Sequence, residues 1–331
     1  MSKNRFKYKY CYQAAEAGDL AELKRMHEAG FALKGNKLGD ERDIYGQKCS
    51  TTGAAINGHL DCLKYAHENG CYWDEMTTSW AARKGHLDCL RYAHENGCEW
   101  NEETTLGAAC GGYLECLRYA YENGCRWNLW TTIMAAWNGK LACLRFAHEN
   151  GCPWNESTTA RAAQNGNLDC LQYAHENGCR WNSYTTEFAA QHGQLDCLRF
   201  AHENGCPWDK KTTASAARNG HLDCLRFAHK NGCKWDENTT QQAAIYGKLE
   251  CLRYAYENGL KFHKDAFKTE NLDCFRYLVE NDFPFDTDNK VLVKKINQLK
   301  KEIETTKKIM VISLEDQVNN NVINHIINKF V

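Results

Sequence analysis

The sequence predicts an all-α fold, a solenoid of paired short helices, and three observations carry that prediction. The segment T-T-x-x-A-A-x-x-G-x-L-D-C-L-R-Y-A-H-E-N-G-C-x-W recurs along the chain. Its central cysteine stands at Cys62, Cys89, Cys116, Cys143, Cys170, Cys197, Cys224 and Cys251, without slippage from one copy to the next. The constant step between them, about 27 residues, falls in the range that marks stacked supersecondary units. Each unit carries two helix-length stretches, each closed by glycine. The chain is 43% hydrophobic and 11% aromatic, the composition of a folded protein. A length of 331 residues would ordinarily mean two or three domains. Units that touch only their neighbours let the array grow without one large core.

The unit from Thr104 to Asn128 shows how each element arises. Thr104 and Thr105 stand where a helix N-cap is expected, ahead of Ala108 and Ala109. Gly111 and Gly112 keep this first helix to about eight residues. Leu114 opens a second helix of about ten residues, with Glu115 at its positive end. Leu117, Ala120 and Tyr121 form its buried stripe at spacings of 3 and 4. Asn123 and Gly124 end it, and Cys125 and Trp127 fold back under the pair. Neither helix is long enough to persist alone. Trp73, Trp100, Trp127, Trp154, Trp181, Trp208 and Trp235 recur at one position and should form a ladder. A fully buried Trp contributes roughly 1.5–3 kcal/mol.

Nineteen cysteines follow the repeat rather than a disulfide framework. Equivalent cysteines on helices packed about 8–10 Å apart lie beyond bridging reach. Within a unit, Cys62 and Cys71 flank a helix roughly 13 Å long. Free, buried, reduced thiols are expected, although the spacing leaves pairs such as Cys71 with Cys89 open. A net charge of -1 gives no general pull toward phosphate backbones, so no nucleic-acid partner is expected. No signal peptide and no run of 18 apolar residues is present. These features predict a soluble cytoplasmic protein with no membrane partner.

The units resemble ankyrin repeats. Against T-P-L-H-x-A-A-x-x-G-H-L-E-V-V-K-L-L-L-E-x-G-A-D-V-N, residues Ala81, Ala82, Gly85, His86, Leu87, Asp88, Leu90, Arg91, Glu95, Gly97 and Asn101 fall in register. Cys89, Cys98 and Trp100 replace residues the family buries. The resemblance spans about residues 10–285. Ankyrin units run to about 33 residues, and the stretch missing here belongs to the projecting β-hairpin finger. The resemblance therefore implies an ankyrin-like helical-pair solenoid with shortened, finger-less loops. Asp43-Ile44-Tyr45-Gly46, in the longer connection between Ala14 and Ala54, is similar to an intact finger loop. The A-H-E-N-G-C-x-W variety is similar to short ankyrin-like repeats expanded in giant DNA viruses of amoebae. The Asn-, Ile- and Lys-rich tail fits such a genome.

Four segments follow. Residues 1–33 form a degenerate N-terminal capping repeat, and 34–49 the finger-like connection. Residues 50–285 form the array, and 286–331 a C-terminal helical tail or cap. Leu260 and Phe262 replace Cys and Trp near the far end, as expected of units that face water on one side. In the tail, Leu292, Ile296, Leu299 and Ile303 are spaced 4, 3 and 4, which reads as a single helix capping the stack, with a short coiled coil or partner helix as the alternative.

The repeated histidines His67, His94, His148, His175, His202 and His229 each lie between two cysteines. Zinc ligation is disfavoured. The spacing lacks C-x-x-C, and Tyr121 and Tyr256 replace the histidine in two units. Packing between units is the expected role, with no metal and no cofactor. A Cys/His pair in nearly every unit does not resemble a single active site, and no enzyme is expected. Asp88 and Arg91 read as a solvated pair one helical turn apart.

The informative residues are those that vary between units. Trp80, Trp130, Met134, Trp137, Tyr184, Phe188, His192 and Tyr246 cluster in the first helix and the turn before it. The resemblance implies that this helix lines a concave, partner-binding face, and exposed aromatics suit a protein interface. The expected function is a monomeric, non-enzymatic scaffold or adaptor for another protein, a host protein if the chain is viral. The alternatives are a substrate-recruiting subunit of a ubiquitin ligase, or a Cys-rich redox- or metal-responsive protein.

Overall fold

The structure is a computed structural model. It describes residues 6–33, 49–281, 283, 293, 294, 296–302, 304, 305 and 308. Asp43–Gly46 of the finger-like connection, and Leu292 and Ile303 of the tail stripe, lie outside the described residues. Among the described residues all regular structure is helical and no strand occurs.

The chain forms two compact units, Met1–Ala189 with Gln194–Trp208, and Ala190–Gly193 with Asp209–Val331. The first begins with α1 (Cys11–Glu16) and α2 (Leu20–Glu28). The pairs α3 (Ser50–Asn57) with α4 (Leu60–Glu68), and α5 (Glu75–Lys84) with α6 (Leu87–Glu95), follow. Next come α7 (Glu102–Gly111) with α8 (Leu114–Glu122), and α9 (Trp130–Trp137) with α10 (Leu141–Glu149). Then come α11 (Glu156–Gln164) with α12 (Leu168–Glu176), and α13 (Ser183–Gln191), whose last two residues are counted with the second unit, with α14 (Leu195–Glu203). The second unit holds α15 (Lys210–Asn219) with α16 (Leu222–Lys230), and α17 (Glu237–Ile245) with α18 (Leu249–Glu257). It continues through a 3-10 turn (Ala266–Lys268) to α19 (Leu272–Glu280). In the first unit, first helices pack in sequence from α1 through α11, and second helices from α2 through α14. In the second, α15 packs on α17, α16 on α18, and α18 on α19.

The first helix starts earlier than the sequence suggested. Its side-chain cap is the Asn or Asp just ahead of the Thr pair by one helical turn. Asn101 Oδ1 accepts from the Glu103 amide at 2.9 Å, and Asp74 and Asn155 do the same in their units. Thr104 and Thr105 are therefore inside α7 and wholly buried. Their hydroxyls serve tertiary contacts instead. Thr105 Oγ1 donates to the Glu102 carbonyl at 3.0 Å and approaches the Arg126 carbonyl at 2.9 Å, tying the helix to the loop that follows its pair. Thr132 and Thr159 repeat that tie to Pro153 and Arg180. The alanine pair, fully buried in every repeat, allows this close approach.

The second helix behaves as its pattern requires. Cys116, Leu117 and Ala120 are buried, while Tyr121 is only half-buried. The Asn123 side chain returns to the Tyr119 carbonyl at 2.8 Å. Gly124, at φ 86°, takes the left-handed turn that L side chains resist. Cys125 then donates its thiol to the Asn101 carbonyl at 3.1 Å. Cys98, Cys179, Cys206 and Cys233 make the same latch to the equivalent residue of their own repeats. All nineteen cysteines are free, and only Cys49 and Cys110 are not buried.

Carbonyl groups left open at one helix end are met by the neighbouring repeat. Asn165 Nδ2 donates to the Trp137 carbonyl at 2.9 Å, and Asn167 Nδ2 to the Ala136 carbonyl at 2.9 Å. At the C-terminal end, Ile296 and Leu299 are buried in one cluster with Phe275 and Val279.

The two threonines of a pair should differ sharply. Thr159 makes three polar contacts, whereas the buried Thr158 hydroxyl has no partner. Thr159→Val should cost about 1–2 kcal/mol, and Thr158→Val should be neutral or stabilising, in urea denaturation. Equal losses at both positions would contradict this account.

Candidate functional site

Two sides of the stack differ in how their side chains are used. On the second-helix side, the repeated residues form a ladder of rings. The His94 and Trp100 rings stack at 3.7 Å, and Trp100 meets Tyr119 of the next repeat edge-on at 6.1 Å. His94 Nδ1 lies 3.0 Å from Tyr119 Oη. The His67, His148 and His229 rings make equivalent bonds to Tyr92, Tyr173 and Tyr254. His175 instead faces Phe200 at 5.9 Å, and Tyr121 stacks on Trp127 at 4.7 Å while facing Phe146. Ring packing is therefore the constant feature and the hydrogen bond an addition. The tryptophans take part in this ring packing within each unit, but all seven are half-buried rather than enclosed, so each contributes less than a fully buried ring would. Arg91 lies over the Tyr119 ring at 5.2 Å, a cation–π contact in place of the pair with Asp88 that its spacing suggested.

The chemistry-bearing residue types are thus engaged in stacking. Burial pushes the thiols of Cys98, Cys152 and Cys179 up to about 12, which makes them poor nucleophiles near neutrality. Cys49 differs. A hydrogen bond from the Cys71 thiol holds it below the usual thiol range, and Cys71 is raised correspondingly. Among the described residues, no group of three or more His, Cys, Asp or Glu is placed to hold a metal ion. No described helix is long and apolar enough to cross a membrane.

The first-helix side holds the variable residues. In the first unit, Trp130 opens α9 and is 53% exposed, while Met134 and Trp137 are half-buried further along the same helix. Tyr184, 51% exposed, lies 5.7 Å from Phe188 on α13. Between α9 and α13, Arg161 of α11 extends over both neighbours, 4.7 Å from the Trp137 ring and 5.6 Å from the Phe188 ring. Its Nη1 donates to Gln164 Oε1 at 2.6 Å. Trp137, Phe188 and Tyr184 are thereby joined into one cluster by a guanidinium. Trp80 stands apart on α5, with Arg83 over its ring at 5.3 Å. In the second unit, Tyr246 is 46% exposed beneath Arg218 at 4.4 Å, and His192 is exposed.

The arginines are not among the residues singled out from the sequence, yet their register identifies them. Arg161 stands one period after Met134 and one period before Phe188, and Arg83 stands two periods before Trp137. They occupy the same ridge positions as the aromatics.

Residues 52–130 match the family model for ankyrin repeats (3 copies). No curated protein matches the chain. Together with the all-helical architecture, the match identifies an ankyrin-like stack of helical pairs.

Partly buried histidines should make stability depend on pH. Burial lowers the His221 and His229 imidazoles below their ordinary 6.5. Between the unfolded and folded values the unfolded chain binds more protons, so stability falls as pH drops below about 6.5. Thermal midpoints measured between pH 7.5 and 5 should decline through that interval, and the decline should shrink in His229→Gln. An unchanged slope in that variant would exclude His229 as a contributor.

Proposed function

We propose that this chain is a non-enzymatic scaffold or adaptor that binds another protein along the first-helix side of its repeats. The observation that carries the reading is the Trp137–Arg161–Phe188 cluster with Tyr184 beside it. These residues stand at positions that the repeat leaves free to vary, while the Thr, Ala, Cys, His and Trp positions hold neighbouring helices together. Partly exposed aromatics and arginine on rigid helices are the residue types that dominate protein interfaces. Trp80, Trp130, Met134, His192 and Tyr246 extend the candidate set within their own units. The chain acts as a monomer in this reading. The resemblance to viral short repeats makes a host protein the first partner to seek.

Two further points support a scaffold over the alternatives. Raised thiol pKa values disfavour a redox role for the buried cysteine ladder. Burial of Ile296 and Leu299 against Phe275 and Val279 favours the described part of the tail around them as a cap on the last repeat rather than a dock for a ligase.

Affinity purification from the native cell tests the proposal. Trp137→Ala and Phe188→Ala should each reduce recovery of the partner, by about 2 kcal/mol or roughly thirtyfold in affinity for a central interface residue. Trp80→Ala tests whether the site reaches α5. Unchanged recovery with all three variants would remove this face from consideration.

A further inference from the structure

We infer that the segment bound at the Trp137–Arg161–Phe188 cluster is an acidic peptide of the partner protein, with a carboxylate beside an aromatic or aliphatic side chain. The inference rests on the reading of this face as a protein interface and adds the chemistry of its occupant.

From α5 to the first part of α13, ridge positions 80, 83 and 84 and their equivalents hold Arg83, Lys84 and Arg161 and no carboxylate. The whole chain, by contrast, has a net charge of -1. None of the three cations makes an ion pair among the described residues. Arg161 is half-buried, so it has lost part of its hydration without gaining an anion.

Geometry then selects the ligand. The rings of Trp137 and Phe188 flank the guanidinium, and one N–H is engaged by Gln164. Held in this way, the group loses little further freedom on binding. Its remaining in-plane N–H groups match the two oxygens of a carboxylate. The exposed Tyr184 ring, 5.7 Å from Phe188, supplies apolar area for a flanking side chain. A continuous polyanion fits less well, because the exposed carboxylates of Glu102, Glu103 and Glu156 line the N-terminal ends of α7 and α11. A short acidic segment can meet Arg161 while avoiding that row.

Selection of a random peptide display library on the full chain tests this, with labelled synthetic versions of the recovered peptides titrated by fluorescence anisotropy. Recovered peptides should be enriched in Asp or Glu next to an aromatic or aliphatic residue. Arg161→Gln should weaken them by about tenfold or more, Arg161→Lys should restore only part of the loss, and Trp137→Ala should also weaken them. Far-UV circular dichroism would establish that each variant keeps its helices. Peptides that need Trp137 but carry no acidic residue, or ignore Arg161→Gln, would overturn the inference and leave the interface reading standing. Peptides indifferent to Trp137, Arg161 and Phe188 alike, or no recovered peptides, would overturn both. Tighter, Arg161-dependent binding of an oligo-dT strand would also overturn it, in favour of a nucleic acid.

Discussion

The structure depends on groups that one helical pair leaves unsatisfied and its neighbour in the same unit satisfies. His94 meets the Tyr119 hydroxyl of the next repeat, and the Thr159 hydroxyl meets that of Thr185. Asn165 and Asn167 close the carbonyl end of α9. Helices of eight to ten residues, the range seen in α3 through α12, are marginal in water by themselves. Stacking supplies both the apolar burial and the missing hydrogen-bond partners, so local structure and tertiary contact form together.

That constraint decides which residues can carry function. A thiol that latches a carbonyl, or an imidazole stacked on an indole and bonded to a tyrosine, is already committed. The repeat uses reactive residue types for adhesion and surrounds most of them with protein. The positions released from that duty are those whose side chains leave the first helices toward solvent. There the sequence changes from unit to unit, from Trp80 to Met134, Arg161 and Phe188. A stack of this kind separates the invariant half of each repeat, which sets spacing, from the variable half, which presents chemistry at regular intervals.

The period, the second helix and the left-handed glycine at Gly124 were legible in the sequence because each rests on local rules of spacing and backbone conformation. The histidines were legible as packing residues because Tyr121 and Tyr256 replace them. The start of the first helix was misread. A Thr pair has the chemistry of an N-cap, and only tertiary contact reveals that its hydroxyls are needed elsewhere while Asn101 does the capping. The tryptophans were expected to be enclosed, but a ring lodged between His94 and Tyr119 keeps one edge at the surface. Arg161 was overlooked because a lone arginine in one unit looks like an ordinary surface charge. Its meaning appears once Trp137 and Phe188 are brought to either side of it.

The central claim is that a helical pair folds only against a neighbour. Far-UV circular dichroism of a synthetic peptide covering residues 101–128, one whole repeat, tests it most directly, beside the intact chain in the same buffer. The account predicts an unordered spectrum for the peptide and a helical, cooperatively melting one for the chain. A helical peptide spectrum with its own cooperative thermal transition would contradict it.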